Sequence, residues 1–303
     1  MLKDHNGQSR SVWMTPRSET ERQPLRENAD VDVCVVGAGI SGLTTAYLLA
    51  KEGKSVMVLD DGPIGGGQTE RTTAHLSCAL DRRYFEIEHV HGSEGARLAA
   101  ASHSAAIDRI ERIAREEQIA CDFERLDGYL FMPPGISPTL LDDELAAAHR
   151  AGLTLIEKLP RAPLSSYDTG PALRFPKQGQ FHPIKYLLGL ARAIEREGGQ
   201  IFTGTHAERI EGGKPGRVTT ADGHTVTARA IVVATNTPVN DMVAIHTKQA
   251  SYLTYVIGAT VPRGSVARAL YWDTEDPYHY VRLQSLDSED QSGAPSGLSG
   301  NDL

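Results

Sequence analysis

The sequence predicts an α/β protein built around a parallel central sheet. Three observations predict it: an apolar strand that runs directly into closely spaced glycines, a helix and a second strand immediately after them, and a continuous apolar run at residues 228–235. A strand that is covered on both faces has such an uninterrupted apolar run. We therefore expect strand–helix–strand units that share one sheet.

The first predicted strand, residues 31–36, ends in a glycine pattern typical of a dinucleotide site. Gly37 permits a tight turn, Gly39 lets the backbone approach a pyrophosphate, and Gly42 allows the next helix to pack closely on the strand. The diphosphate then lies at the helix N-terminus, where free N–H groups and the helix dipole favour negative charge. The alternative is a glycine turn that binds no ligand.

The flanking sequence supports the dinucleotide interpretation. Residues 43–51 have helical character, Gly53 stands where a C-terminal cap belongs, and residues 55–59 form a second apolar strand. Asp60 follows that strand, 18 positions after Gly42. A carboxylate there accepts hydrogen bonds from both ribose hydroxyls of an adenosine and repels a 2′-phosphate. The segment therefore predicts a Rossmann-like unit whose ligand is not NADP.

The later elements are predicted from periodicity and turn signals. Apolar residues recur at helical spacing over 95–117, an acidic start marks a helix over 138–151, and Pro183 opens a third helix that two glycines close at 198–199. A turn at 221–224 joins two strands as a hairpin. The predicted strands after the first unit cover residues 122–132, 200–206, 218–220, 225–227, 228–235, 251–261 and 269–283.

Composition excludes several classes of function. The chain has 303 residues, 40% of them apolar, with a net charge of −8 and a pI near 5.8, so nucleic acid and anionic membrane are not expected as main partners. Cys34, Cys78 and Cys121 are too scattered for a disulfide framework, which favours a reducing compartment. No run is apolar enough for a membrane span or a signal peptide. We therefore expect a cytoplasmic protein.

The two ends of the chain are more polar than its middle. Residues 1–29 predict an N-terminal arm, either laid over the protein or mobile, with Trp13 as its anchor. Residues 285–303 are rich in Ser, Gly and acidic side chains, so we expect a disordered tail there.

Five landmarks occur in one order: GAGISG followed by Asp60, the loop GGGQTERTTAHL, the helix start QFHP, the strand THAERI and the strand IVVATN. Over residues 30 to 283 the chain thereby resembles the D-amino acid oxidase and glycine oxidase family of FAD-dependent oxidoreductases. The wording of the segments is most similar to bacterial members that carry an additional C-terminal Rieske domain. The Cys-x-His spacing of a Rieske domain does not occur in this chain.

The resemblance implies that the cofactor is FAD and assigns the residues that hold it. The glycine turn would hold the pyrophosphate, Asp60 the adenosine ribose, and the backbone of Ala207 the adenine. A second loop would line the flavin ring. The implied cofactor residues are Gly37, Ala38, Gly39, Ile40, Ser41, Gly42, Asp60, Arg71, Thr72, Thr73, His75 and Ala207. The alternative for Arg71 and the threonines is a solvated loop that caps a helix.

His75 and Tyr252 are the candidate catalytic residues. A histidine at this place is a ring contact, a covalent attachment point for the flavin, or an ordinary histidine whose nitrogens are satisfied. Tyr252 and Tyr255 stand on a predicted strand beside the substrate, and they point to opposite faces, so only one faces the pocket. We favour Tyr252. Lys248 either binds a carboxylate or is solvated.

The resemblance also implies the domain organisation. Residues 30–84 and 179–247 would form the FAD-binding domain. Residues 85–178 and 248–284 would form a discontinuous substrate domain with an antiparallel sheet. In the family the chain then returns to the FAD domain with a further loop and helix, whereas this sequence continues into its polar tail. We therefore expect the substrate domain to be incomplete and the chain to be C-terminally truncated.

The implied activity is oxidation of a C–N bond in a small amine or amino acid, with electrons passed to oxygen or another acceptor. One alternative is a flavin amine oxidase, but that group has Gly-Gly-Arg after the ribose acid, and here Gln68 follows Gly66 and Gly67. Another alternative is an FAD-binding fragment without turnover. A pyridine nucleotide–disulfide reductase would need a second glycine motif and a close cysteine pair, and the sequence has neither.

Overall fold

The computed structural model describes residues 11–132, 139–165, 167–237, 239 and 255–285. Within these ranges the chain forms two six-stranded sheets, one largely parallel and one largely antiparallel, with helices packed against them. The α/β class predicted from the sequence is confirmed. The domain boundaries stay a prediction.

The helices match most of the sequence predictions. Those of the described residues are α1 (Arg17–Thr20), α2 (Ile40–Lys51), α3 (Tyr84–Glu116), α4 (Thr139–Arg150) and α5 (Pro183–Arg196), with a short 3₁₀ helix at Thr69–Arg71. Helix α3 begins well before residue 95, because it continues through a kink at Gly92, where φ is 73°. None of the described helices combines the length and the hydropathy that crossing a membrane requires.

The strands fall into two groups along the chain. They are β1 (Ala29–Val36), β2 (Val56–Leu59), β3 (His75–Leu76), β4 (Glu124–Phe131), β5 (Glu157–Leu159), β6 (Ala172–Gln180), β7 (Gln200–Phe202), β8 (Ala207–Glu211), β9 (Gly216–Thr220), β10 (Thr225–Val233), β11 (Leu270–Asp273) and β12 (Tyr280–Val281). The first sheet has the order β7–β2–β1–β10–β9–β8, and the second has the order β12–β11–β4–β6–β3 with β5 on β6.

The centre of the first sheet is parallel, as predicted. Strand β1 pairs in parallel with both β2 and β10, and β2 pairs in parallel with β7. Strands β9 and β10 form the predicted hairpin. Helices α2 and α5 cover one face, where Leu43, Tyr47 and Leu187 are at most 1% exposed. Because these helices lie against the face of the sheet, the loops meet at the carboxyl ends of the parallel strands.

The prediction that residues 228–235 are buried on both faces is wrong. Residues 228–233 continue the same strand as 225–227, and the pairing with β9 ends at Ala228. Beyond that point Val233 is 46% exposed, and Arg229 extends to within 3.4 Å of the Asp32 carboxylate. An apolar run shows that a strand forms, but it does not show how far its neighbours cover it.

The second sheet departs further from the predictions. Strand β6 was not predicted, because Pro176 interrupts the strand pattern, yet it is the central partner of β4 and β5. The predicted strand over 251–261 is wrong in its described part, since residues 255–261 have no regular structure and Ile257 is 94% exposed. The stretch 269–283 contains two short strands, β11 and β12, with a turn between them.

Candidate active site

The glycine turn, residues 37–42, lies at the carboxyl end of β1. Gly37 has a φ of +112°, and a Cβ atom on it would lie 2.5 Å from the Ala234 carbonyl oxygen. A Cβ atom on Gly42 would lie only 1.8 Å from the Gly37 carbonyl oxygen. Both positions therefore require glycine, as the dinucleotide interpretation predicts.

The N-terminus of α2 has the features of an anion site. Gly39 is the N-cap residue, and no acidic side chain lies in the first turn. The first N–H groups of a helix have no acceptor within the helix. One of them, at Ile40, donates to the Thr69 hydroxyl over 3.3 Å. The remaining N–H groups and the helix dipole fit a pyrophosphate. Thr69 was not predicted, because a loop threonine has no distinguishing local pattern.

Asp60 follows β2, and the structure holds its carboxylate against the glycine turn. Oδ2 accepts a hydrogen bond from the Ala38 N–H at 2.5 Å, and Oδ1 accepts one from the Gly62 N–H at 2.8 Å. Burial raises the pKa of this carboxyl, while the two backbone hydrogen bonds oppose that rise. Asp60 therefore orders the turn, and the Ala38 N–H is engaged by it.

Ala207 begins β8 close to the same strand end. The Thr205 N–H donates to the Asp60 main-chain carbonyl at 2.8 Å, and the His206 ring lies 3.5 Å from the Asp61 carboxylate. The structure thus brings Ala207 into the neighbourhood of Asp60, although 147 residues separate them in the sequence. The glycine turn and Asp60 thus lie together at the carboxyl ends of β1 and β2, and the segment just before Ala207 contacts Asp60.

The loop at residues 61–75 leads from the first sheet to the second. Within it Arg71 folds back on the chain: its Nη1 donates to the carbonyls of Gly66 and Gly67, both at 2.8 Å, and lies 2.6 Å from the Glu70 carboxylate. Its side chain is 45% exposed. Arg71 therefore stabilises its own loop. This arrangement fits the alternative of a solvated loop better than a contact with the flavin ring.

Two residues from distant parts of the chain hold the end of this loop. Trp13, which is 4% exposed, donates from Nε1 to the Thr72 carbonyl at 2.7 Å and is therefore the anchor predicted for the arm. Arg282 donates from Nη1 to the carbonyls of Thr73 and Ala74 at 2.9 and 3.2 Å. Its guanidinium lies 4.8 Å from the centre of the Trp13 ring, and burial lowers its pKa to about 10. Arg282 was not predicted, since no local motif marks it.

A cavity of about 310 Å³ opens where the loop meets the second sheet. This volume is at the lower end of the range for small-molecule pockets, which is roughly 300–1,000 Å³. Of the residues predicted to line the flavin ring, Thr73 and His75 line this cavity, whereas Arg71 and Thr72 do not. The other lining residues used below are Asp81, Arg83, Trp272, Asp273, Tyr278 and Tyr280.

His75 has two buried ring nitrogens, and neither has a hydrogen-bond partner in the described part of the chain. Its ring packs edge-on against Tyr280 at 5.4 Å and lies 6.1 Å from Trp272. Burial lowers the pKa of His75 to about 3, and the positive charge of Arg282 adds to this effect. None of the described residues supplies a hydrogen-bond partner to these nitrogens, which favours a ligand contact over an ordinary satisfied histidine, and the role of His75 stays a prediction. A neutral imidazole offers one donor and one acceptor to a ligand.

A group of polar side chains at the edge of the cavity is internally paired. Asp273 is 5% exposed, its Oδ2 lies 2.7 Å from His279 Nδ1, and its Oδ1 accepts the N–H groups of Glu275 and His279, both at 3.1 Å. The hydrogen bond to Asp273 raises the pKa of His279. Although three side chains here lie within metal-ligand spacing, we assign to Asp273 the ordering of the turn between β11 and β12.

Of the remaining predicted residues of the substrate side, the structure describes only Tyr255. Tyr252 and Lys248 lie outside the described residues. Tyr255 has no regular structure around it and is 79% exposed. The argument that two strand tyrosines point to opposite faces therefore does not apply to its described member.

Comparison with known proteins gives a consistent result. The family model described as FAD dependent oxidoreductase, DAO, matches residues 32–291. The putative Rieske 2Fe-2S iron-sulfur protein YhfW of Bacillus subtilis is 31% identical over 282 residues, which are 92% of this chain and 54% of that protein. Gamma-glutamylputrescine oxidoreductase of Escherichia coli is 31% identical over 231 residues, 72% of this chain and 52% of that protein. The chain thus spans about half the length of these curated relatives.

Solved structures show the same fold at low sequence identity. Glycine oxidase from Geobacillus kaustophilus superposes with a TM-score of 0.56 and 19% identity, over 69% of this chain and 56% of that one. L-proline dehydrogenase from P. horikoshii gives a TM-score of 0.62 and 16% identity, over 86% of this chain and 68% of that one. These structural matches confirm the fold, and the family model and the curated relatives confirm the resemblance predicted from the sequence.

Proposed function

The chain belongs to the family of FAD-dependent oxidoreductases, and from that premise we propose that it oxidises a C–N bond of a small amine or amino acid in the cavity beside His75. The observation that carries the proposal is the loop at residues 61–75. It starts at the strand end that holds Asp60 and finishes at a cavity in which His75 has two unpaired nitrogens. These two places would hold the adenosine end and the flavin ring of FAD.

The residues on the first sheet would bind the adenosine end of FAD. We assign the diphosphate to the glycine turn, the ribose to Asp60 and the adenine to the backbone at Ala207. The steric requirement for glycine at two positions of the turn supports this assignment, because it lets the backbone of the turn and the start of α2 pack closely at the end of β1, where helix N–H groups can face a diphosphate. Bound FAD supplies the two-electron acceptor for the substrate.

His75 would position the flavin or the substrate without taking a proton. Its pKa of about 3 keeps the imidazole neutral at physiological pH, so it donates one hydrogen bond and accepts another. Thr73 would contact the same ligand, and Arg282 would hold the loop in place by its bonds to the main chain. Tyr252 stays a proposed substrate contact, because it lies outside the described residues.

Relatives support the substrate class but not a single substrate. Gamma-glutamylputrescine oxidoreductase and glycine oxidase are named for an amine and an amino acid, and we transfer only that class to this chain. The three cysteines are free and buried, which is in keeping with the cytoplasmic location that we propose.

Anaerobic reduction of the bound flavin tests the proposal. The full chain loaded with FAD is mixed with a panel of small amines and amino acids while the flavin absorption is followed. We expect at least one of them to bleach the oxidised flavin band, and we expect His75→Leu to slow the bleaching more than it weakens FAD binding. A flavin that stays bound and oxidised with every compound would instead support the FAD-binding fragment without turnover.

A further inference from the structure

We propose that the cavity selects substrates carrying a second, positively charged group, which Asp81 binds beside the rings of Tyr278 and Tyr280. The inference rests on the proposed function, because it names the substrate class of the same cavity. It predicts that a diamine is preferred over a monoamine of equal length and over an amino acid, whose carboxylate Asp81 would repel.

Two tyrosine hydroxyl groups hold the carboxylate of Asp81, which lines the cavity. The Tyr280 hydroxyl donates to Asp81 Oδ1 at 2.5 Å, and the Tyr278 hydroxyl donates to Asp81 Oδ2 at 3.4 Å. The two tyrosine rings lie edge-to-face, 5.1 Å apart. About four lone-pair positions exist on a carboxylate, so two remain for an ammonium group.

The two carboxylates of the cavity lining differ in whether an ion pair already engages them. Asp81 forms no ion pair with any described basic side chain. Asp273, the other carboxylate of the lining, is already bonded to His279. The one arginine of the lining, Arg83, donates to the Leu80 carbonyl, and its charge acts on the buried Glu144. Among the described residues, Asp81 is therefore the carboxylate of the cavity lining that has no ion-pair partner.

Several aromatic rings line the walls of the cavity. Trp272, Tyr278 and Tyr280 line the cavity together with His75, which is neutral at physiological pH. Aromatic faces attract cations at close range, and tryptophan does so most strongly. A carboxylate placed among such rings is the arrangement expected for an alkylammonium ligand and not for an anionic one. His75 would remain with the uncharged, reacting end of the substrate.

Equilibrium binding separates this inference from the proposed reaction. The FAD-loaded full chain is titrated by calorimetry with butane-1,4-diamine and with butylamine. We expect the diamine to bind at least about tenfold more tightly, which corresponds to one charge-assisted hydrogen bond. The preference should shrink with added NaCl, because Asp81 is exposed and its charge is screened. Equal affinities of the wild-type chain for the two amines would overturn the inference without any variant.

Variants then assign the preference to Asp81. Asp81→Asn keeps an acceptor for the tyrosine hydroxyls and removes the charge, so it should abolish the preference. Asp30→Asn removes an exposed charge at the opposite end of β1 and should leave it unchanged. If Asp81→Asn kept the wild-type preference, the inference would be wrong. If the diamine preference were present but no amine reduced the flavin, the proposed reaction would fail and the binding inference would stand.

Discussion

The two ends of the loop at 61–75 are built in different ways. At the first sheet the glycine turn and Asp60 lie within 24 consecutive residues, and each has a steric or hydrogen-bonding reason that depends on its neighbours in sequence. At the cavity, Asp81 and Tyr280 are bonded although 199 positions separate them. Constraints of the first kind are visible in a sequence, whereas those of the second kind appear only when the two sheets come together.

The largest effect should come from adding a methyl group to the glycine turn. In Gly42→Ala the new Cβ atom meets the Gly37 carbonyl oxygen at 1.8 Å, so the turn or the helix must move. We expect destabilisation at or beyond the usual overpacking range of about 1–3 kcal/mol, together with loss of FAD. Thermal unfolding and flavin content measure the two effects.

A matched control is available in the next loop. No atom lies within 4 Å of a Cβ added to Gly67. The free energy of unfolding of Gly67→Ala should therefore lie within about 0.5 kcal/mol of the wild-type value. Equal destabilisation by both substitutions would mean that the close approach in the glycine turn does not matter.

Removal of the Asp60 carboxylate should have the next largest effect. Asp60→Ala deletes the acceptor of the Ala38 and Gly62 N–H groups, and it deletes the proposed ribose contact. Two charge-assisted bonds from the ribose hydroxyls, at about 1.5 kcal/mol each, give a loss of about 3 kcal/mol in FAD binding free energy. A flavin fluorescence titration measures it, with Asp61→Ala as the exposed neighbour. Unchanged affinity in Asp60→Ala would place the ribose elsewhere.

Only part of the fold and of the candidate site could be predicted from the sequence. The glycine turn, Asp60 and the parallel order around β1 could be predicted because close approach and strand burial leave a local pattern. Strand β6 could not, because Pro176 breaks the pattern of a strand that its neighbours nevertheless stabilise. The unpaired state of His75 and the position of Arg282 depend on contacts made across the fold. The roles assigned to the individual cofactor residues stay predictions.

The cavity side should respond to pH through Glu144. This residue is fully buried, its Oε2 accepts the Tyr84 N–H at 2.7 Å at the start of α3, and burial raises its pKa from 4.5 to about 7. The folded state therefore holds a proton that the unfolded state has lost. The contribution of this Glu144 proton to the free energy of unfolding is fully present below pH 4.5 and is lost as the pH rises through 7.

Denaturant unfolding between pH 5 and 8 measures this contribution. We expect the Glu144 part of the free energy of unfolding to fall by on the order of 2 kcal/mol across that interval, and Glu144→Gln to remove that slope. His75 acts in the opposite sense, since its lowered pKa makes the fold lose stability as the pH falls below 6.5 toward 3. A Glu144→Gln variant with the wild-type slope would contradict the assignment.

The smallest effect is expected at the contact between the arm and the loop. Trp13→Phe keeps an aromatic ring beside Arg282 and removes the Nε1 hydrogen bond to the Thr72 carbonyl. We expect a loss of about 1 kcal/mol in the free energy of unfolding. Val12→Ala, at a neighbouring residue that is 72% exposed, is the control and should have almost no effect. Equal losses in both variants would show that the arm contributes only through nonspecific packing.

The most direct test of the account is the absorption spectrum of the full chain after it has been incubated with excess FAD and separated from free flavin. The account predicts flavin absorption bands with equimolar FAD in the wild-type chain and in Gly67→Ala, and their absence in Gly42→Ala. A folded wild-type chain that retains no flavin, even after refolding with excess FAD, would contradict it.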